Sequence, residues 1–450
     1  MMFDLKHYPA YKDSGMPWLE NLPEHWTEKR AKYFFREVDE RSAAGDEELL
    51  SVSHITGVTP RSQKNVTMFL AESTVGHKLC QAGDVVVNTM WAWMGALGVA
   101  KQAGLVSPSY GVYRPLQPVA FLPGFLDELL RTPAYISEYV CRSTGITTSR
   151  LRLYPEQFLR IPFPCPPLHE QRLIMRFVSA TDHQTRRYIR STQKLIQLLA
   201  EERDVLTHDA VHSPHTRVLR LSEAATRVAR PVSRQDTEIY NPIGLFNRGR
   251  GIFHKEPTRG LDLGDSTFYW IEEGDFVLSG QFAWEGAIAI AGPQDAGCVA
   301  THRYPVLRGK PNIAETAYLF SFFRTSFGQL LLNEHSRGAA GRNRPLNAAT
   351  LMKEKIPIPP PVEQQRIIAL VRLEKQLADS ISKASSYLRE YRARLIADVV
   401  TGKVDVREAA AMLPDEAEDV VPFEDAEVLP DGDEESESVD LGTSAEDEIS

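Results

Sequence analysis

The sequence predicts a mixed α+β protein of the broad α/β class, with two similar domains and two long antiparallel coiled-coil helices arranged as an internal pseudo-two-fold repeat. The segment IPFPCPPLHEQRLI at Ile161–Ile174 returns as IPIPPPVEQQRII at Ile356–Ile368. The block at Gly83–Ala100 returns at Gly274–Ala291, 191 residues later, and a third pair of blocks recurs at an offset of 189 residues. Three blocks in one order at nearly one offset predict a duplication of ~190 residues.

Each repeat has two parts with different composition. The first part contains short β-rich runs between Gly, Pro and Asn residues, which predicts a mixed domain. The second part begins at a Pro-Pro pair and continues for ~40–45 residues without Pro or Gly, which predicts one long helix. Pro167 and Pro361 suit a first helical turn, because their φ is preset and they lack an N–H that would be unpaired there. The predicted segments are a first domain, a first spacer helix, a second domain, a second spacer helix and an acidic tail: residues 1–165, 166–214, 215–358, 359–404 and 405–450.

Apolar residues in the second predicted helix recur at alternating steps of four and three, the pattern of a coiled-coil seam, and those of the first keep the same heptad rhythm at steps of seven, three, seven and four. They are Ile189, Ile196, Leu199, Leu206 and Ala210 in the first helix and Leu377, Ile381, Ala384, Leu388, Tyr391 and Leu395 in the second. Because the repeat is two-fold, burying the seams against each other predicts an antiparallel pair. The alternative is that each helix packs on its own domain. At 1.5 Å per residue, each helix would be ~60 Å long.

The net charge of −9 hides an uneven distribution of charged residues. From Met412 to the C-terminus there are 16 acidic and no basic residues, so residues 1–411 carry a net charge of +7. The folded part is therefore basic, and the tail is expected to be disordered. The sequence has neither an apolar run near the ~20 residues of a membrane span nor a signal-like N-terminus, so we expect a cytoplasmic protein.

The sequence lacks the common enzymatic motifs. It has no phosphate-cradling loop, no Gly-x-Ser-x-Gly elbow, no His-Glu-x-x-His pair and no convincing methyltransferase signature. The four cysteines are scattered singly, so buried free thiols are expected rather than disulfides or a zinc site. His208, His212 and His215 have helical spacing but are not repeated in the second copy, and we interpret them as helix-end or phosphate contacts. We therefore predict no catalytic residue and no metal site.

Two loops at equivalent places in the repeats are candidates for DNA contact. Arginine and asparagine side chains can recognise guanine and adenine edges in the major groove. The candidate side chains are Thr147, Thr148, Ser149 and Arg150 in the first repeat and Arg342, Asn343 and Arg344 in the second. The two sets differ in chemistry, as two readers of different short sequences would, although merely solvated loops would look the same.

A second set of candidates precedes the Ala-Trp-x-Gly-Ala block of each repeat. These variable positions are Asn88, Met90 and Trp91 in one copy and Ser279, Gln281 and Phe282 in the other. The tryptophans of the blocks, Trp93 and Trp284, are more typical of an aromatic ring packed over a tight turn than of a base-stacking platform.

Several segments together resemble the specificity subunits of type I restriction–modification systems, over Tyr11 to about Val404. The resemblance rests on YKDSGMPWLENLPEHW at the N-terminus, the stretches at Gly83–Val99 and Gly104–Pro115, PPLHEQR before the first helix, PPPVEQQR before the second, and VVTGKV after it. It implies two target-recognition domains that bind a bipartite double-stranded DNA sequence. It also implies partners: modification subunits that methylate adenine with S-adenosylmethionine, and restriction subunits that use ATP and Mg. This chain itself would bind no cofactor.

The resemblance also makes the helix junctions candidates for docking partner subunits. The candidate residues are Pro167, Glu170, Gln171, Pro361, Gln364 and Gln365. We interpret the chain as a non-catalytic DNA-recognition subunit. The alternatives are a coiled-coil scaffold for other proteins, and a stand-alone nuclease or methyltransferase with an unrecognised motif.

Overall fold

The computed structural model describes residues 5–63, 73–116, 119–145, 151–337 and 344–413, which form two compact units. Unit 1 takes its described residues from Met1–Ile189 and Ala384–Pro430, and unit 2 from Arg190–Lys383. Each unit therefore contains one globular domain and a part of both long helices. None of the helices in this described part of the chain has the long apolar stretch that crossing a membrane requires.

The globular domain of unit 1 is built from short strands and short helices. The strands are β1 (Tyr11–Met16), β2 (Leu19–Pro23), β3 (Thr27–Arg30), β4 (Phe35–Glu37), β5 (Leu50–Ser53), β6 (Gly57–Pro60), β7 (Lys78–Cys80), β8 (Val85–Val87), β9 (Leu97–Val99), β10 (Gly104–Val106), β11 (Gly111–Pro115) and β12 (Pro162–Cys165). The helices are α1 (Pro123–Leu130), α2 (Pro133–Arg142) and α3 (Pro155–Phe158), and the first long helix, α4 (Leu168–His212), follows. A four-stranded antiparallel sheet in the order β4-β11-β8-β9 lies at the centre, and the three valines of β8 are buried, as expected for an interior strand.

Unit 2 repeats the central part of this topology, although the β1–β2 pair has no counterpart among its described residues. Its strands are β13 (Arg217–Arg220), β14 (Ala225–Val228), β15 (Ile239–Tyr240), β16 (Ile243–Leu245), β17 (Ile252–His254), β18 (Thr258–Arg259), β19 (Phe268–Trp270), β20 (Phe276–Leu278), β21 (Ile288–Ile290), β22 (Val299–Thr301), β23 (Val306–Gly309) and β24 (Lys355–Ile358). Its short helices are α5 (Leu221–Ala224), α6 (Thr316–Arg324), α7 (Ser326–Glu334) and α8 (Ala348–Leu351). The central sheet has the order β14-β23-β20-β21, the same antiparallel arrangement as in unit 1. The predicted fold class and repeat are confirmed.

The second long helix, α9 (Pro361–Val400), runs antiparallel to α4 within each unit. In unit 1, the beginning of α4 and the end of α9 share one core, which includes Phe177 and Val399. In unit 2, Ala210 near the end of α4 packs in one core with Ile367 near the start of α9. These shared cores also include the domains, so the helices pair with each other and pack on the domains as well.

Charged side chains enter the seam between the helices, which the apolar pattern did not predict. Tyr391, predicted to face the partner helix, is exposed, whereas its neighbour Arg392 donates two hydrogen bonds to Asp182, at 2.5 and 2.9 Å. In unit 2, Arg203 is almost fully buried and pairs with Glu374. The charged form of each buried side chain is stabilised by its partner, so the seam tolerates it.

The segment predicted as an acidic tail begins with ordered structure. The helix α10 (Arg407–Ala411) follows α9, and Val406 and Ala410 are buried in the core of unit 1. The Asp405 N–H donates to the Lys6 carbonyl at 2.8 Å, so the chain ends of unit 1 are joined. The tail therefore starts later than predicted, and residues 414–450 lie outside the described residues.

Candidate nucleic-acid interface

A tight turn follows the interior strand of each central sheet. The turn at Ala92–Met94 ends at Gly95 with a φ of 87°, and the turn at Ala283–Glu285 ends at Gly286 with a φ of 75°. Glycine suits both positions because other residues rarely adopt this left-handed conformation. The Trp93 indole N–H donates to the Met90 carbonyl at 3.0 Å, and the Trp284 indole donates to Gln281 at 3.1 Å. The indole hydrogen bonds thus stabilise the turns, in agreement with the interpretation of the tryptophans as aromatic rings packed over tight turns.

The first predicted reading residue of each turn is used to build the turn. Asn88 is buried, donates to the Tyr110 hydroxyl at 3.0 Å and accepts from the Met90 N–H at 3.3 Å. Ser279 is also buried, and its hydroxyl oxygen accepts from the N–H groups of Gln281 and Phe282. The polar atoms of both side chains therefore form hydrogen bonds within the protein.

The other four turn candidates are more accessible. The Trp91 side chain is 52% exposed, and Met90, Gln281 and Phe282 are partly exposed. They are the more accessible turn residues, and they differ between the two units: Met90 corresponds to Gln281, and Trp91 corresponds to another aromatic residue, Phe282.

The second predicted set, the loops, closes onto the same turns. In unit 1, an antiparallel bridge between Thr144 and Arg152 closes the loop, and the Leu153 N–H donates to the Thr89 carbonyl at 2.9 Å. In unit 2, a bridge between Ser336 and Leu346 closes the loop, and the Leu346 N–H donates to the Gly280 carbonyl at 2.7 Å. The structure therefore brings together, in each unit, the turn and the loop that the sequence suggested separately. Thr147, Thr148, Ser149, Arg150, Arg342 and Asn343 lie outside the described residues.

Arg344 is the described member of the arginine-rich loop. Its guanidinium lies over the ring of Trp284, 4.8 Å from the ring centroid, a cation–π arrangement. Because the backbone hydrogen bond from Leu346 corresponds to that from Leu153, the equivalent residue in unit 1 is Leu151. One unit thus holds a cation over its tryptophan, and the other has an apolar residue at the same place.

A buried aspartate fixes the strand that leads into each turn, a pair the sequence analysis missed. Asp84 accepts two hydrogen bonds from Arg114, at 3.1 and 3.0 Å, which hold the pKa of that guanidinium above its usual range. Asp275 accepts from Arg308 at 2.6 Å and from Arg230 at 2.8 and 3.2 Å. The signal was present, because a Gly-Asp pair begins both copies of the block that starts at Gly83 and Gly274.

The helix junctions contain buried polar residues with partners inside the chain. The Gln171 amide accepts from the Leu122 N–H at 2.8 Å and donates to the Ala120 and Pro166 carbonyls, both at 2.9 Å. The Gln364 amide makes the same three bonds in unit 2, with Glu315, Ile313 and Pro359. Gln171 and Gln364 are therefore structurally equivalent, and they lie 193 residues apart. The matching sequence segments that begin at Ile161 and Ile356 lie 195 residues apart, two more.

The docking prediction for these junctions needs correction. Glu170 is buried and accepts hydrogen bonds from the Tyr8 hydroxyl at 2.7 Å and the Trp26 indole at 3.0 Å, with the His25 ring at 2.7 Å. Burial and the Glu170 carboxylate raise the pKa of Tyr8 well above its usual range. Glu170, Gln171 and Gln364 cannot present these side chains to a partner, whereas Pro361 and Gln365 are exposed and Pro167 is partly exposed.

The histidines at the end of α4 fit their interpretation as helix-end residues. The His212 ring contacts the His208 carbonyl at 2.8 Å, and the two rings lie 4.3 Å apart. Within the described ranges, no group of three or more His, Cys, Asp or Glu side chains is arranged to hold a metal ion.

The chain is similar to known DNA-specificity proteins. Residues 249–378 match the family model described as the type I restriction modification DNA specificity domain. A comparison with curated proteins gave no match. A chain from a structure on complex assembly and conformational transition of the type I R-M system is 16% identical, with 84% of this chain and 98% of that chain covered and a TM-score of 0.51.

Two crystal structures of single subunits are also similar. The HsdS subunit from Thermoanaerobacter tengcongensis is 19% identical, with 84% of this chain and 96% of that chain covered and a TM-score of 0.44. The type I restriction–modification S subunit from M. genitalium is 13% identical, with 83% and 96% covered and a TM-score of 0.39.

The chain with a TM-score of 0.51 shares the fold of this protein. The family match agrees with the predicted resemblance: residues 249–378 are similar to the type I restriction modification DNA specificity domain.

Proposed function

We propose that this chain reads a bipartite double-stranded DNA sequence, one half-site with each unit, and directs adenine methylation and DNA cleavage by partner subunits. The chain itself is proposed to be non-catalytic. S-adenosylmethionine would be bound by modification subunits, and ATP and Mg by restriction subunits. A cytoplasmic location, where the DNA is, belongs to the same proposal.

One observation carries the proposal. Both units have the same framework, in which a turn and a loop are joined by a backbone hydrogen bond, from Leu153 to Thr89 and from Leu346 to Gly280. The side chains presented by that framework differ between the units. Identical scaffolds with different contact residues are what two readers of different half-sites require, because direct base contacts carry the sequence information.

The experiment changes one contact residue in one unit. Arg344→Ala should relax base preference at one position of the second half-site by ~1–3 kcal/mol, the value of a bidentate arginine–guanine contact. The first half-site should be unchanged. The measurement is sequencing of methylated adenines in DNA modified by the complex of this chain with its modification subunits.

The matched control is Leu151→Ala at the equivalent position of unit 1. It should leave the preference of the second half-site unchanged. An equal loss of affinity on all sequences with Arg344→Ala would reassign Arg344 to phosphate contact. Methylation or cleavage of DNA by the purified chain alone would favour the stand-alone enzyme, and the absence of salt-sensitive DNA binding would favour the protein scaffold.

A further inference from the structure

A cleft of about 1140 Å³ opens in unit 2 directly beside its reading turn. Gly280 and Gln281 of the turn form part of its wall, and Leu346 of the loop base forms another. A Cβ on Gly280 would lie 2.2 Å from the Arg303 carbonyl oxygen, so only glycine lets the turn approach this wall so closely. The cleft is therefore a fixed extension of the turn-and-loop framework.

The cleft wall is rich in basic side chains, and their pairing is uneven. Arg337 pairs with Glu334 at 3.0 Å, and His335 pairs with Glu354 at 3.1 Å, so both carboxylates of the wall have partners there. Arg227 and Arg303 are exposed and make no hydrogen bond or ion pair to any side chain among the described residues. Two guanidinium groups thus remain available in a concave surface.

Unit 1 has neither of these guanidinium groups. Arg227 lies opposite Leu307 in the central sheet, and the corresponding pair in unit 1 is Glu37 opposite Tyr113. Arg303 directly precedes Tyr304 just as Ser109 precedes Tyr110. The two units therefore differ here in charge, although their sheets have the same topology.

We propose that Arg227 and Arg303 form a binding site for the DNA phosphodiester backbone, which holds the duplex against the reading turn of unit 2. This inference rests on the proposed function and extends it to residues that lie outside the turn and the loop. Arginine donates paired hydrogen bonds to phosphate oxygens, and such contacts fix the register of a protein on DNA without reading sequence. Exposed guanidinium groups that have no ion pair within the described part of the chain, beside the reading turn, have this chemistry.

The test is the salt dependence of DNA binding by the full chain with Arg227→Gln and Arg303→Ser, singly and together. Each lost phosphate contact should lower the slope of log affinity against log salt by about 0.9. Between 50 and 200 mM salt, the affinity of the double variant should therefore fall about 12-fold less than that of the wild type. The loss at low salt should be equal on a duplex carrying the methylation target and on one with its second half-site scrambled.

Two further variants test whether the effect comes from the charge of the two arginines and from their place in the cleft. Arg227→Lys with Arg303→Lys keeps both charges and should retain the wild-type slope. Arg372→Ala removes an exposed charge of unit 2 that does not line the cleft, and it should leave the slope unchanged. An equal effect of Arg372→Ala would mean that net charge, and not the cleft, controls binding, and this would overturn the proposal.

The remaining outcomes separate this proposal from the function on which it rests. An unchanged slope in the double variant, with a wild type that still prefers the target duplex, overturns the cleft site alone. A loss confined to the target duplex also overturns it, since it would make these arginines base readers. A wild type with no preference between the duplexes would instead refute the proposed function.

Discussion

Replacing the junction glutamine of one unit should destabilise that unit and spare the other. Gln171 is fully buried, and its amide satisfies the Leu122 N–H and the carbonyls of Ala120 and Pro166. Gln171→Ala removes all three bonds. An unsatisfied buried backbone group costs ~1–3 kcal/mol, and the groups that can reach water cost less, so the free energy of unfolding of unit 1 should fall by about 2–5 kcal/mol.

Gln171→Glu should have an effect that depends on pH. One carboxyl oxygen can still accept from Leu122, but the other replaces an amide that donates to two carbonyl oxygens. The two carbonyl oxygens repel a negatively charged carboxylate. The pKa of the new glutamate in the folded state should therefore rise above the ~4.3 of the unfolded chain. The variant should therefore lose little stability below about pH 4 and lose about 1.4 kcal/mol more per pH unit above it, until the pKa of the folded state is reached.

Hydrogen–deuterium exchange measures both effects within one unit of a two-unit chain. At about 1.4 kcal/mol per tenfold change, peptides around Leu122 in Gln171→Ala should exchange roughly 30- to 5000-fold faster. Gln364→Ala is the matched control and should loosen peptides around Glu315 in the same way. A cost below about 0.5 kcal/mol, or equal loosening of both units, would refute the assignment of these glutamines as local ties.

Two more predictions follow from buried side chains. Asp275→Ala should lower the denaturation midpoint of unit 2 more than Asp84→Ala lowers that of unit 1. Asp275→Ala removes a buried carboxylate from Arg230 and Arg308, which still pair with Glu272, whereas Asp84→Ala removes one from Arg114 alone, which still pairs with Glu40. A hydrogen bond to a charged group contributes about 1.5–3 kcal/mol, and equal effects of the two variants in chemical denaturation would contradict this. Burial raises the pKa of the Cys80 thiol to about 11, so alkylation at pH 8 should label the exposed Cys141 first and leave Cys80 unreacted; peptide mass spectrometry showing early Cys80 labelling would contradict its burial.

The large-scale architecture could be predicted because repeats and long runs without Pro or Gly are visible in the sequence itself. A run free of Pro and Gly after a Pro-Pro pair predicted α4 and α9, and both exist. The thiols show the limit of such reasoning, since Cys141 is exposed although a buried thiol was expected. Burial of one residue on a short helix depends on which face packs, and a lone cysteine gives no periodic signal.

The details of the helix seam could not be predicted from apolar spacing. The pattern selected Tyr391, but Arg392 is the residue that meets Asp182, and Arg203 is buried against Glu374. A charged residue in a sequence is normally interpreted as solvent-exposed. Its burial becomes favourable only when an opposite charge lies across from it, and that partner is some 170 to 210 residues away in the chain.

The candidate site was predicted in pieces, and the missing step was a set of backbone hydrogen bonds. Main-chain hydrogen bonds join Thr89 to Leu153 and Gly280 to Leu346. Because side chains take no part in these bonds, no side-chain pattern in the sequence predicts that the turn and the loop meet. The same fact explains how one scaffold carries two chemistries. Because the framework is held by main-chain bonds, by buried aspartate and glutamine residues and by partly buried tryptophans common to both units, the more exposed side chains of the turn and loop contribute little to folding. They are therefore free to differ, and under the proposed function a change of half-site requires no change of fold.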